Sequence, residues 1–166
     1  MPGLALLILI TVALGFEFIN GFHDTANAIA VSIHTGALSA GRAVALAAVM
    51  NLLGAFASEN VARTISGELI SAAIDEYTII AALIAAIIWN LFTWYLGMPA
   101  SSSHALIGAL IGASVVFTGS TDAVLWKNLV LKVVLPLFLC PPAGFAAGAL
   151  AALFIKKENR IMQIVA

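Results

Sequence analysis

The stretch Glu17-Phe-Ile-Asn-Gly-Phe-His-Asp-Thr-Ala-Asn-Ala28 decides how the rest of the chain is read. It sets Glu17, Asn20, His23, Asp24, Thr25 and Asn27 between two apolar runs, in a sequence that otherwise avoids such residues. If those runs lie in a bilayer, the polar groups sit at membrane depth and each needs a partner. A carboxylate at the centre of a membrane helix costs ~2.5–3.5 kcal/mol on insertion scales. A cost of that size marks the cluster as a functional site.

Composition sets the surroundings of that cluster. The 166 residues are 63% hydrophobic and 9% charged, with mean hydropathy +1.11. A soluble domain carries about 25% charged residues, so a water-facing surface could not be covered here. The chain reads as an all-α integral membrane protein, a single transmembrane domain over residues 1–166. A net charge of −1 and the lack of a basic patch speak against nucleic acid as a partner. Cys140 has no second cysteine to pair with and reads as a small apolar packing residue. Residues 1–16 carry no Lys or Arg and show no convincing cleavage site, so they read as a retained membrane segment and not a signal peptide.

Five apolar segments follow one another: Gly3 to Ile19 with a continuation over Ala26–Ile33, Val44–Ala57, Thr78–Leu96, Leu106–Phe117 and Val133–Ile155. A full span needs roughly 20 apolar residues, whereas runs of about 10–14 suggest re-entrant or broken helices. Ala26–Ile33 and Leu106–Phe117 fall in the short class, and each directly follows a polar stretch. About five transmembrane segments with two broken or re-entrant helices are therefore expected. Irregular backbone at membrane depth survives only in protein or along a wet cavity, so both breaks point to one central site. In this reading Gly21 permits an unusual backbone angle, and Asp24 or Thr25 caps a helix through Ala26–Ile33.

Ser58–Tyr77 is the longest polar connection, and the spacing of Val61, Ile65, Leu69 and Ile70 allows a short amphipathic helix near the interface. Its charges read as a solvated loop, with Glu59 worth watching because it follows a helix that carries Asn51. Lys156, Lys157 and Arg160 cluster after the last segment, which favours an outside N-terminus and a cytoplasmic tail. Lys127 and Lys132 would then fall on the outer side, against that preference. Small-residue pairs at Gly108 and Gly112, Gly144 and Gly148, and Ala26 and Ala30 suit close helix approach. Trp89, Trp94 and Tyr95 read as interfacial aromatics.

A second polar constellation is Met98-Pro-Ala-Ser-Ser-Ser-His-Ala-Leu-Ile-Gly108. Pro99 stops the preceding helix, and Ser101, Ser102 and Ser103 are N-cap candidates for the helix that begins near His104. A helix N-terminus attracts anions, and three hydroxyls add donors suited to a tetrahedral oxyanion. An ordinary capped helix start explains the same residues equally well. Thr25 and Asn27 could donate to an anion as well, while Asp24 would repel one unless a cation or proton intervenes. That requirement favours coupled binding of anion and cation. His23, Asp24, His34 and His104 lack the ligand spacing of a metalloenzyme, and no Gly-rich nucleotide loop is present.

Gly21-Phe-His-Asp-Thr-Ala-Asn-Ala28 resembles the signature of the Pit-type inorganic phosphate transporters, in its bacterial form. Trp89-Asn-Leu-Phe-Thr-Trp-Tyr-Leu-Gly-Met-Pro-Ala-Ser-Ser-Ser-His-Ala-Leu-Ile-Gly108 is similar to the family's second motif, and Asn51-Leu-Leu-Gly-Ala55 to a pattern between them. The resemblance implies a secondary transporter, not an enzyme, built from two inverted repeats with phosphate bound between broken helices. It places Thr25, Asn27, Ser101, Ser102, Ser103 and His104 at phosphate and Asp24, Asn20 and Asn90 at the coupling cation. It implies no resident cofactor or metal, only a co-transported proton, sodium or divalent metal–phosphate, with the proton favoured. Only one copy of each motif is present, so the chain resembles the amino-terminal repeat and needs a second repeat or subunit. It would sit in the plasma or inner membrane. A non-transporting half or assembly subunit is the alternative.

Overall fold

The computed structural model describes residues 2–57, 69–71 and 74–165, with side chains over 3–56, 69–71 and 74–153. Its regular elements among the described residues are all helices, and it divides into two compact units, Met1–Leu125 and Trp126–Ala166.

In the first unit, α1 (Pro2–His34) is one uninterrupted helix. The expected break at the first polar cluster is absent: neither Asp24 nor Thr25 caps anything, and Gly21 is not in a left-handed conformation. The reason is periodicity. Asn20, Asp24 and Asn27, four and three residues apart, fall on one face of an intact helix. None of these residue types bars a helix interior as proline does, so a neighbour that accepts the polar face removes the need for a break.

Gly36, with φ of 73°, turns the chain after α1, and α2 (Ala40–Ala57) packs back on it. Asn51 is exposed on α2. The amphipathic helix expected around Val61 and Ile65, and Glu59 with it, lie outside the described residues. Leu69 and Ile70, its far end, are extended instead. Ile70 forms an isolated antiparallel bridge with Val124, flanked by Ser71 N–H to Ala123 O (2.8 Å) and Leu125 N–H to Leu69 O (2.9 Å). Leu69, Ala123 and Val124 are buried there.

Asp75 caps α3 (Glu76–Tyr95). Thr78 donates its hydroxyl (2.5 Å) and its backbone N–H (2.8 Å) to Asp75 Oδ1. The hydroxyl bond first, then the amide bond, hold this exposed carboxyl below its usual range. A carboxylate depressed by folding stabilises the native helix start above its unfolded pKa, and the effect is lost as pH falls through the depressed value. Corrected hydrogen exchange at the Thr78 amide should therefore quicken on acidification below the ordinary carboxylate range. In Asp75→Ala it should be fast at every pH, and an amide equally protected in both proteins would refute the capping role.

Helix α3 ends before Pro99 acts on it. Gly97 is left-handed (φ 65°), with Gly97 N–H bonded to Trp94 O (3.0 Å) and Met98 N–H to Thr93 O (2.9 Å). That is the glycine C-cap which satisfies the last carbonyls, and Pro99 then follows as a residue that cannot restart the helix. Ser101 caps α4 (Ser102–Thr118), as expected, and Gly119 closes it (φ 69°).

Packing fixes the directions. Phe16 of α1 meets Leu83 and Ala86 of α3, with Leu106 and Ala109 of α4 against them. Farther along α1, His23 meets Thr93 of α3, while Ser102 of α4 meets Asn20 and Asp24. So α1 and α3 run parallel and α4 antiparallel to both. Apolar contacts hold one end of this three-helix core and polar contacts the other. The glycines expected to bring helices together are not used in this way: a Cβ at Gly108 or Gly112 meets nothing within 4 Å.

The second unit is a helical run of α5 (Trp126–Leu129), a π-turn over Val130–Val134 and α6 (Leu135–Val165). The π-turn ends just ahead of Pro136, whose ring would clash with the Lys132 carbonyl in a regular α register. Pro141 and Pro142 lie inside α6, and Cys140, read above as a packing residue, is exposed.

Among the described residues, three helical stretches are long and apolar enough to cross a membrane: Gly3–His34, Glu76–Tyr95 and Trp126–Leu153. Ala40–Phe56 and Ser102–Thr118 are shorter apolar helices. At ~1.5 Å per residue, a helix of 17 residues such as α4 falls short of a hydrocarbon core ~30 Å thick. Exposed Leu7, Phe18, Leu52, Phe56, Ile88 and Val116 give the outer faces a lipid-compatible surface. The chain is an all-α membrane protein.

Candidate functional site

The two polar motifs, far apart in sequence, meet through Ser102. This residue is the first of α4, only 1% exposed, and its hydroxyl reaches two acceptors on α1. One is Asn20 Oδ1 at 2.5 Å, 82 residues away, and the other is Asp24 Oδ2, 78 residues away. Asn20 Nδ2 donates in turn to Glu17 Oε2 at 3.4 Å, which fixes Oδ1 as the end facing the serine. A hydroxyl carries one hydrogen. It cannot serve both acceptors unless one of them brings a hydrogen of its own, and of the two only the carboxyl can.

The three serines fan out because successive helical residues are turned by ~100°. Ser102 points to α1. Ser101 stays at the cap, where its Oγ accepts from the His104 backbone N–H (3.3 Å) and lies 2.8 Å from His104 Nδ1. With the serine donating to Nδ1, the ring keeps its hydrogen on Nε2 as a free donor. Ser101 and His104 line a groove of about 460 Å³ between α3 and α4, together with Ala85, Trp89, Ala105 and Gly108. Ser103 is exposed.

On α1, Asp24 and Thr25 are half-buried and Asn27 is exposed, one turn beyond Asp24 on the same face. The Asp24 side chain is 43% exposed, so this carboxylate is in reach of a solute. Asn90 sits apart from this opening. It is fully buried on the α3 face that also carries Ala86 and Thr93, and among the described residues neither its Nδ2 nor its Oδ1 has a hydrogen-bond partner. In an apolar interior an unpartnered amide of this kind costs about 1–3 kcal/mol.

His23 was not placed among the phosphate or cation residues, although the His-Asp form of the first motif is what favours a proton in the sequence reading. It is 5% exposed, with Nδ1 3.2 Å from Asp24 Oδ1 and Nε2 3.5 Å from Thr93 Oγ1. Its neighbour Thr93 is equally buried and lies in the second motif. The signal that could have found both is the absence of any other reason for a histidine and a threonine to point into an apolar helix interface. Among the described residues, no three His, Cys, Asp or Glu side chains gather as a metal site.

A model of the phosphate transporter family matches residues 20–165, which include both motifs. The chain is 46% identical to a probable low-affinity inorganic phosphate transporter of Mycobacterium tuberculosis (strain H37Rv), over 93% of its own length and 37% of the relative's. It is 47% identical to a protein of the same description in Bacillus subtilis, covering 92% of this chain and 46% of the relative. Against the low-affinity inorganic phosphate transporter PitA of Escherichia coli, identity is 42% over 88% of this chain and 32% of the relative. The chain thus spans between a third and a half of the length of these relatives. No solved structure gives a significant match. With the family model covering both motifs and relatives aligned along nearly the whole chain, the chain belongs to the phosphate transporter family.

Proposed function

We propose that this chain is one half of a secondary active inorganic phosphate transporter that moves phosphate with a proton by alternating access. The observation that carries the reading is the Asn20–Asp24–Ser102 cluster, in which a carboxylate from one motif shares a serine with the other on adjoining helices. Phosphate beside an ionised Asp24 would be repelled. Two unit charges ~4 Å apart interact with about 4 kcal/mol at the effective dielectric of a protein surface. A hydrogen on Asp24 Oδ2 removes that repulsion and gives Ser102 the donor its geometry asks for. Asp24 then donates to Ser102 Oγ, Ser102 donates to Asn20 Oδ1, and the chain of hydrogens has one direction.

Half-buried Thr25, exposed Asn27 and Ser103 and the free His104 Nε2–H supply donors for phosphate oxygens around the same opening, together with Ser101 and Ser102. Asn20 and Asn90 belong to the cation side of the site. The homologues' greater length supports a second repeat or subunit, inverted relative to this one, that completes the site. The basic cluster Lys156, Lys157 and Arg160 favours an outside N-terminus and a cytoplasmic C-terminus in the cell membrane.

The test is phosphate uptake into proteoliposomes, with the chain reconstituted as extracted from its own membrane, together with any second subunit it carries. An inward proton gradient should drive accumulation, and a sodium gradient should not. Accumulation driven by sodium alone makes sodium the coupling ion. Uptake indifferent to both gradients sinks symport, and a metal–phosphate substrate would show as a requirement for divalent cation.

A further inference from the structure

Behind Asp24 stands a buried imidazole that the phosphate site does not need for contact. We propose that His23 is the residue that makes the coupling cation a proton, by sharing that proton with Asp24 and holding the carboxyl in place for it. The proposal rests on the proton-coupled reading above and names the group that selects the ion.

Donor and acceptor bookkeeping leads there. Asp24 Oδ1 faces His23 Nδ1 at 3.2 Å, and Asp24 Oδ2 faces Ser102. Both carboxyl oxygens are thus engaged, one by a ring nitrogen and one by a hydroxyl. A metal cation needs several oxygen ligands at distances above ~2 Å, whereas these two contacts of the carboxyl are already made by a ring nitrogen and a hydroxyl. A hydrogen fits in either contact. On Oδ2 it lies in the bond to Ser102. On His23 it makes Nδ1–H a donor to Oδ1 while Nε2–H donates to Thr93 Oγ1 (3.5 Å).

Thr93 accepts that second bond without loss. Its own hydroxyl hydrogen has the Trp89 and Asn90 carbonyls within 3.1 and 3.0 Å, so its oxygen is free to accept from the ring. The protonated imidazole is therefore fully partnered across two helices. The pair has two places for one proton, with the same net charge in both.

The groups around the ring are few. On α1, Asp24 touches it and Glu17 is tied to Asn20. From α3 its partner is Thr93, while Glu76, Tyr77 and Tyr95 lie at that helix's ends and are exposed. From α4, Ser102 reaches only Asp24 and Asn20, and His104 is bonded to Ser101. On α2, Arg42 is exposed at the helix start. Among the described residues, Asp24 is thus the titratable group in contact with His23. The proton enters with phosphate from one side and leaves the pair on the other, returning His23 to neutral and Asp24 to its carboxylate.

The experiment compares His23→Asn with the wild type in the reconstituted transporter. Asparagine keeps an N–H near Nδ1 for Asp24 Oδ1 but cannot hold a proton. Proton-driven accumulation should fall about 100-fold or more, the scale on which one acid–base group contributes when proton transfer is required. The pH profile of uptake should change shape, with phosphate affinity kept within about threefold. A variant profile that superimposes on the wild type overturns the proposal, and so does a variant that accumulates phosphate normally. Wild-type uptake that ignores a proton gradient overturns the earlier reading instead, so the two failures are distinct. A second measurement needs no variant: nitrogen NMR of histidine-labelled protein, with its three histidines, should show one imidazole whose titration moves when inorganic phosphate is added. Three titrations unmoved by phosphate overturn the proposal even if the variant does not fold.

Discussion

Asp24→Asn should bind phosphate and fail to accumulate it. Asparagine has the shape of a protonated carboxyl, and its Nδ2 donates to Ser102 Oγ as the proposed Oδ2 hydrogen does. Ser102 then donates to Asn20 Oδ1, the contact already present at 2.5 Å. The variant is thereby fixed in the loaded form. Its affinity for phosphate should be retained or improved, because the charge repulsion of about 4 kcal/mol at 4 Å is gone for good. Accumulation against a gradient should drop on the order of 100-fold, since no proton can be released to complete the cycle. Phosphate affinity by calorimetry and gradient-driven uptake, measured side by side, check the two halves of this prediction. Uptake within twofold of the wild type would falsify the role given to the carboxylate.

Asn90→Leu has the opposite profile, a more stable protein that transports less. Asn90 is completely buried, and both ends of its amide lack a partner. Leucine has the same branching at Cγ and removes the unpaired donor and acceptor together, which recovers about 1–3 kcal/mol. For a chain of this size that raises Tm by roughly 2–12 °C, at about 2–4 °C per kcal/mol. An orphaned amide kept in an apolar interface is a cost with no structural return, a pattern found at functional sites. Transport should therefore fall about tenfold in the same variant. Thermal unfolding in detergent and uptake in proteoliposomes decide it. A lower Tm would mean that the amide is satisfied in the native membrane and that its role is structural.

These two residues illustrate different limits of the sequence. Asp24 was legible because a carboxylate at membrane depth is expensive whatever surrounds it. Asn90 could be placed on a helix and in a motif, but an asparagine facing a neighbour and one facing nothing read identically. His23 was visible in the first motif, where the His-Asp pair favoured a proton, but what stands on either side of the ring was not legible. One partner is its neighbour in sequence, and the other is Thr93, brought in by the parallel course of α1 and α3. The serines show the same limit from the other direction. Three consecutive hydroxyls looked like one set of donors, yet helical rotation sends Ser102 to α1, Ser101 to the cap and Ser103 outward.

By itself the sequence determined the solvent and the class of structure. Apolar runs with so few charges have to lie in lipid, and in lipid a backbone without water bonds to itself as helix. It also located both polar motifs and the start of α4, because a proline followed by serines ahead of an apolar run is local chemistry. What only the tertiary structure decided is that the first motif needs no break. A polar face along an intact helix is costly only until another helix covers it. Whether Ser102 arrives opposite Asn20 and Asp24 depends on the packing of Phe16, Leu83 and Ala86 a few turns away. Such contacts join residues about 80 positions apart, and no local pattern of residues encodes that distance.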